Sequence, residues 1–123
     1  MGYTTNFDGQ FKLNKQLSLN DYKWLNDFAD ERHEGAEADA QKMPGIWCQW
    51  IPSKDGLYLQ WDENEKFYDY VAWLEWLIKN FFEPKGYVLN GEVEWEGEEQ
   101  GDVGKITVKD NIVSTKEGKI VYD

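Results

Sequence analysis

The chain has 123 residues, including seven tryptophans, seven tyrosines and six phenylalanines, and its formal net charge is −11. This length predicts one domain over residues 1–123, which buries about two-thirds of the unfolded chain's surface. A single cysteine excludes an internal disulfide, and no apolar run approaches the ~20 residues of a membrane span, so we expect a cytoplasmic protein without membrane contact. The acidity argues against direct binding to nucleic acid or anionic lipid, because both are negatively charged.

The N-terminal third predicts a strand and a helix. Phe11 and Leu13 alternate with polar residues, which is typical of a half-buried strand. Ser18 is the predicted N-cap of a helix that extends to about Arg32. Residues 34–45 have no apolar face and end on Pro-Gly, which indicates a surface connection within the domain.

The middle of the chain predicts a hairpin and a longer helix. Ile46–Ile51 and Leu57–Trp61 are the predicted strands, joined by a turn that contains Asp-Gly. Asp62 and Glu65 form a capping pattern that opens the second helix. The apolar residues from Phe67 to Phe81 follow helical spacing, and Pro84 and Gly86 are expected to end the helix.

The C-terminal third predicts strands only. Tyr87, Leu89, Val93 and Trp95 are the apolar positions of a half-buried strand, and residues 97–104 form a polar loop. Asp110-Asn111 is a predicted hairpin turn between strands at 105–109 and 112–116, and a further strand is expected at 119–122. The element order predicts an α+β domain with split β-α-β order (β-α-β-β-α-β), a C-terminal antiparallel hairpin extension, and helices on one face of a mostly antiparallel sheet.

Several short segments together form a recognisable pattern, and they are Met1–Thr5, Gly45–Trp50, Trp61–Asp62, Glu65–Tyr68, Tyr70–Val71, Trp73–Leu74, Gly86–Trp95 and Val108–Asn111. In these segments the chain resembles a group of uncharacterised small acidic proteins of bacteriophage and bacterial genomes. The match spans most of the chain and departs from the group in residues 34–45. The resemblance implies a phage setting and carries over no catalytic or binding residue.

Most site chemistry is disfavoured by composition. One histidine and one cysteine cannot supply the three or four ligands of a typical zinc site, so we expect no metal and no cofactor. Cys48 is expected to be a buried thiol, and His33 a solvated residue at the end of the first helix. Because no spacing selects a pair of carboxylates, we expect a non-enzymatic protein and rank a carboxylate hydrolase last.

The second helix carries more aromatic residues than one buried stripe uses. On a helical projection Trp76 points away from the stripe and Trp73 lies to its side, with Asp69 and Asn80 near them. Either another part of the chain covers these tryptophans, such as the C-terminal hairpin, or they form a protein interface, of which a homodimer is the simplest form.

A second candidate surface is acidic. Residues 86–104 carry six of the excess negative charges and no basic residue, and their acids are Glu92, Glu94, Glu96, Glu98, Glu99 and Asp102. The first three fall on one strand face with carboxylates repeating every ~6.6–6.8 Å, a spacing of the same order as phosphates along a nucleic-acid strand. The alternative is a solvated sheet face that lysines at 105, 109 or 116 pair across the strands.

These surfaces favour a non-enzymatic binding protein that occupies a host protein, such as a nucleic-acid-binding or defence protein, as an acidic mimic of nucleic acid or an anti-defence inhibitor. A second hypothesis is a small-molecule or nucleotide binder that stacks its ligand on Trp47, Trp50 or Trp61. The absence of an arginine cluster weakens the nucleotide version, since Arg32 is the one arginine of the sequence.

Overall fold

A computed structural model describes residues 5–64, 67–99 and 101–117, and in these ranges it places a six-stranded sheet with helices packed against one face. The strands are β1 (Thr5–Leu13), β2 (Trp50–Pro52), β3 (Tyr58–Trp61), β4 (Leu89–Gly97), β5 (Val103–Lys109) and β6 (Ile112–Glu117). The helices are α1 (Leu19–Ala29), α2 (Ala36–Ala40) and α3 (Tyr70–Leu77). After α3 the chain continues through a wider π-type turn at Ile78–Phe82 and a 3-10 turn at Glu83–Lys85.

The predicted fold class is confirmed. The strand order is β2-β3-β1-β4-β5-β6, and every neighbouring pair is antiparallel. β1 and β2 therefore run in the same direction with β3 between them, and β3 and β4 do so with β1 between them. These are the two split β-α-β units, and β5 and β6 form the C-terminal extension.

The core lies between the sheet and the helices. Strand residues that face the helices are buried, as Phe11, Leu59, Leu89, Val93 and Ile106 are. On β4 the exposed residues alternate with buried ones, or with the half-buried Gly91 and Gly97, as its sequence predicts. The opposite face of the sheet is not covered by any described helix.

Helix α1 begins where its capping residue predicts and is tied to the sheet by a polar cluster. The Ser18 hydroxyl accepts a hydrogen bond from the Asp21 backbone N–H at 3.2 Å. The Tyr87 hydroxyl donates to the Asp21 carboxylate at 2.6 Å, and the Lys85 ammonium lies 3.4 Å from the same group. Partial burial raises the pKa of Asp21, but these hydrogen bonds and the lysine charge outweigh it and hold the pKa below its usual value.

The predicted strand at Ile46–Ile51 is wrong in its extent, because only Trp50–Pro52 joins the sheet. The Gln49 carbonyl still accepts a hydrogen bond from the Asp62 backbone N–H at 3.0 Å, in the register of β2 and β3. The Ile46 carbonyl instead accepts one from the backbone N–H of His33 at 2.8 Å, so the start of this segment is bound outside the strand ladder.

The second long helix also begins later than predicted. The Asp62 carboxylate accepts hydrogen bonds from the backbone and side chain of Asn64, both at 2.9 Å, so it stabilises a local turn. Asp69 has a left-handed backbone with φ of 57° and directly precedes the first helical residue, Tyr70. The predicted end is confirmed, since Gly86 has the left-handed conformation expected after a helix.

Of the predicted connections, the structure confirms one hairpin turn and places a short helix in another. The turn at Asp110 and Asn111 is confirmed, with φ values of 47° and 69° that suit a tight hairpin. Residues 34–45 are mostly exposed but contain the short helix α2. The capping role predicted for Glu65 and the strand predicted at 119–122 lie outside the described residues.

The polar cluster around Asp21 predicts an acid-sensitive contribution to stability. A lowered pKa in the folded state stabilises the fold above the unfolded-state pKa of about 3.9, and this stabilisation is lost as the pH falls towards the folded-state pKa. We expect Asp21→Asn to lower the free energy of unfolding by about 1 kcal/mol at neutral pH, with a smaller difference below about pH 4. Urea unfolding across this pH range measures it.

The Tyr87→Phe variant is the matched control, because it removes the hydroxyl and keeps the ring. The effects of Asp21→Asn and Tyr87→Phe should be less than additive in the double variant, since both remove the same hydrogen bond. Additive effects at every pH would contradict this assignment.

Candidate binding face of the sheet

The sheet face opposite the helices presents polar side chains from neighbouring strands. We call this surface the open face and define it by the outward residues of its central strands, namely Asn6, Asp8, Gln10 and Lys12 of β1, Asn90, Glu92, Glu94 and Glu96 of β4, and Val103, Lys105, Thr107 and Lys109 of β5. The pairing registers of β1, β4 and β5 place these side chains on one side of the sheet. An antiparallel sheet with one face on the core and one face in solvent has this alternation.

The predicted acidic row lies on the open face. Glu92, Glu94 and Glu96 are all exposed, and they alternate with the buried side chains of Val93 and Trp95. The structure therefore brings the three residues together as a row along a central strand.

The row has a fourth carboxylate that the sequence alone does not indicate. Asp8 is exposed on β1 and lies directly opposite Glu94 in the pairing register. Like charges at directly opposed positions destabilise an antiparallel pair. No local sequence signal identifies Asp8, because its neighbour Glu94 is 86 residues away in the chain and is brought to it only by the pairing of β1 with β4.

Lysines neutralise this surface only in part. Lys105 is opposite Glu94 in the register, and its ammonium lies 3.4 Å from the carboxylate of Glu92. Lys116 is opposite Lys105 and extends the basic side towards β6. Cross-strand pairing with a lysine therefore occurs at Glu92, at one end of the row. Asp8 on β1 and Glu96 at the other end of the row add negative charge away from these lysines.

A groove runs over this part of the open face. Its volume is about 790 Å³, and its lining includes Asp8, Glu94, Glu96, Lys105 and Lys116. The groove is open to solvent and combines carboxylates with the two lysines at one border. A basic partner that lies in it would meet carboxylates from two adjacent strands.

Two glycines shape the strands beneath the acidic row. Gly9 on β1 and Gly91 on β4 have φ values of 112° and 146°, which L side chains rarely adopt. A Cβ at Gly9 would lie 2.6 Å from the Glu92 carbonyl oxygen, and one at Gly91 would lie 2.8 Å from that of Gln10. The close approach of β1 and β4 beside the row therefore requires glycine at both positions.

The remaining predicted acids lie in the loop that follows the row. Glu98, Glu99 and Asp102 are exposed. The loop is closed by a hydrogen bond from the Gly97 backbone N–H to the Asp102 carbonyl at 2.7 Å, and by one from Asp102 to the Glu99 carbonyl at 3.1 Å. The loop extends the acidic region beyond the end of β4.

The predicted aromatic interface is largely covered by this chain. Trp73 is fully buried, so its assignment to an exposed surface is wrong. Trp76 is half-buried, stacks near Phe28, and donates its indole N–H to the Gln41 carbonyl at 3.0 Å. Residues 33–45 and α1 provide this cover, in place of the C-terminal hairpin.

The polar residues predicted beside those tryptophans have local roles. Asp69 is exposed and precedes α3, and the Asn80 side chain donates to the Trp76 carbonyl at 2.9 Å. The unexplained tryptophan that suggested a homodimer through this helix is therefore accounted for within the chain.

The tryptophans proposed to stack a ligand differ in access. Trp50 is 1% exposed, and its indole N–H donates to the Tyr70 carbonyl at 2.9 Å. Trp61 is half-buried and donates to the Gln49 side chain at 3.2 Å. Trp47 is exposed. These positions do not form one stacking platform, because Trp50 offers no free face.

The two residues that could have supplied nucleophilic or metal chemistry are both buried. Cys48 is buried as predicted, and burial raises the pKa of its thiol to about 12, so it stays protonated at neutral pH. The prediction for His33 is wrong, because its side chain is buried and its Nε2 lies 2.9 Å from the Phe28 carbonyl oxygen. Within residues 5–64, 67–99 and 101–117, no group of three or more acidic, histidine or cysteine residues is placed to hold a metal ion.

Comparisons with known proteins identify no relative. No family model matches the chain, and neither the curated proteins nor the solved structures contain a significant match. In the described part of the chain, no helix has the length and apolarity needed to span a bilayer.

Because the carboxylates of Asp8 and Glu94 lie opposite each other, we expect this pair to lower the free energy of unfolding. We expect Asp8→Asn to raise the free energy of unfolding by a few tenths of a kcal/mol at low salt, about the size of other exposed charge effects, and the gain should shrink at high salt. Urea unfolding at two ionic strengths measures it. Glu92→Gln is the matched control, because it removes the partner of Lys105 and should not stabilise the fold. A loss of stability in Asp8→Asn at low salt would refute the repulsion.

Proposed function

We propose that this chain is a non-enzymatic binding protein whose open face occupies the basic, nucleic-acid-binding surface of a host protein. The observation that carries the proposal is the row of exposed carboxylates at Glu92, Glu94 and Glu96, joined by Asp8 on the neighbouring strand. A row with this repeat can accept charge-assisted hydrogen bonds from arginine and lysine side chains that otherwise hold phosphates.

The rigidity of the acidic row supports this proposal. β1 and β4 are paired over nine residues, so the carboxylates project from two hydrogen-bonded strands and not from a loop. Preorganised groups lose less conformational entropy on binding than groups on a mobile segment. Charge complementarity also accelerates association, and this effect weakens with salt.

The placement of the Asp8 and Glu94 carboxylates directly opposite each other in the register also supports it. Natural sequences keep locally unfavourable arrangements mainly where function requires them. The resemblance to small acidic phage proteins suggests a host protein as the target, in the manner of an anti-defence inhibitor.

A competition experiment tests the proposal. The protein is immobilised, incubated with a bacterial cell extract, washed, and eluted with duplex DNA. We expect one or more basic DNA-binding proteins to be retained and then released by the DNA. The triple variant Glu92→Gln, Glu94→Gln, Glu96→Gln should bind the same proteins at least about tenfold more weakly, since each exposed ion pair contributes about 0.5–1 kcal/mol.

The matched control is a triple variant with the same change in charge elsewhere. Asp27, Glu75 and Glu83 are exposed on the helical layer and are changed to Asn, Gln and Gln. This control should retain the wild-type set of proteins. Equal retention by the two triple variants, or retained proteins that DNA does not release, would overturn nucleic-acid mimicry.

A further inference from the structure

Four charged residues form one line across the open face, from strand to strand. In the pairing registers, each residue of this set lies directly opposite the next one on the neighbouring strand. From β1 to β6 the set is Asp8, Glu94, Lys105 and Lys116. We call it the charged line. Because neighbouring strands lie about 4.7–4.9 Å apart, the charged line is about 14–15 Å long.

The charges of the line are grouped by sign, with two carboxylates followed by two ammonium groups. Of its three directly opposed pairs, the pair of Glu94 with Lys105 joins opposite charges, and the other two join like charges. Like charges at opposed positions destabilise an antiparallel pair, whereas an alternating order would make all three pairs favourable. A bound group with the complementary order of charges would therefore relieve a repulsion that the fold itself leaves in place.

The charged line is accessible to a partner. Asp8, Glu94 and Lys116 are exposed, and among the residues that the structure describes none of them has an ion-pair partner. Lys105 is half-buried, and its ammonium is shared with Glu92 at 3.4 Å. The whole line borders the groove of about 790 Å³ on the open face. A ligand in this groove would thus meet charges of both signs in a fixed order.

We propose that the groove binds an extended peptide segment of the partner protein, in which basic and acidic residues are grouped separately. The basic residues of the segment lie over Asp8 and Glu94, and its acidic residues lie over Lys105 and Lys116. An extended chain rises about 3.3 Å per residue, so about four or five residues cover the charged line. This site rests on the proposed function, because that function makes the open face the contact with a host protein.

A second copy of this chain is another occupant with a matching order of charges. A two-fold rotation would place Asp8 of one copy against Lys116 of the other, because the charged line is complementary to itself when reversed. Each copy carries a net charge of −11, so this association would bring two strongly acidic proteins together. The overall repulsion favours a partner segment of low net charge.

Two synthetic peptides of identical composition test the proposal. One groups its charges (Arg-Arg-Gly-Glu-Glu), the other alternates them (Arg-Glu-Gly-Arg-Glu), and both have blocked ends and zero net charge. Each is titrated at low salt to about 10 mM into the ¹⁵N-labelled protein, which is tenfold above a Kd of about 1 mM. We expect the grouped peptide to bind about tenfold more tightly, since the alternating peptide opposes like charges at half of the line. No saturable shift with the grouped peptide, or equal affinity for both peptides, would overturn the proposal.

A charge-swapped variant is the matched control on the protein. Glu94→Lys combined with Lys105→Glu keeps the composition and the opposed pair, and it makes the order of the charged line alternate. The variant gains two favourable opposed pairs and loses the ion pair with Glu92, so its urea midpoint should stay close to that of the wild type. We expect it to lose the preference for the grouped peptide. A tenfold preference that persists in this variant would contradict the assignment.

Further outcomes distinguish this site from the proposed function. Equal affinity for the two peptides would leave the DNA-released proteins of the extract experiment unaffected and would overturn only the peptide segment. A tenfold peptide preference without any DNA-released protein would instead overturn nucleic-acid mimicry and retain the groove as a peptide site. Analytical ultracentrifugation measures self-association, and a wild-type dimer that the charge-swapped variant does not form would assign the charged line to a second copy and overturn the partner segment.

Discussion

The pairing of β1 with β4 is the constraint on which the rest of this structure depends. These two strands are the longest of the sheet, and they join residues near the start of the chain to residues beyond its midpoint in one nine-residue register. The register decides which side chains enter the core and which face solvent. A shift by one residue would turn Val93 outward and bury Glu92 or Glu94, which would cost far more than any surface contact could restore.

This constraint links folding and the proposed function through the same residues. The apolar positions of β4 hold the helices against the sheet, and the acidic positions between them form the row on the open face. The strand therefore cannot lose its register without losing the acidic row. Gly9 and Gly91 allow β1 and β4 to approach closely beside the row. The same two strands therefore carry both the exposed carboxylates and the close backbone contact beneath them.

Local signals explain which parts of the fold can be predicted from the sequence. The alternation on β4 and the Ser18 cap of α1 depend on neighbouring residues, and both are confirmed. The start of α3 cannot be read in the same way, because the Asp62 side chain binds Asn64 and leaves the capping pattern unused. The short extent of β2 likewise depends on a hydrogen bond from a distant residue, His33, to the Ile46 carbonyl.

The residues of the candidate sites also differ in whether neighbouring residues in the sequence are enough to predict them. The row at Glu92, Glu94 and Glu96 follows from strand periodicity, but Asp8 joins it only through the long-range register. Trp73 lies outside a single apolar stripe, yet α3 is covered by the sheet on one side and by α1 and His33 on the other, so a second stripe is buried.

Carboxylate footprinting tests the central claim about the open face most directly. The free protein and its complex with the proteins retained from a bacterial extract are labelled with a carbodiimide and an amine, and the modified acids are quantified by mass spectrometry. We expect Asp8, Glu92, Glu94 and Glu96 to be protected in the complex, while Glu75 and Glu83 on the helical layer are labelled equally in both states. Equal labelling of the acidic row in the two states would contradict it.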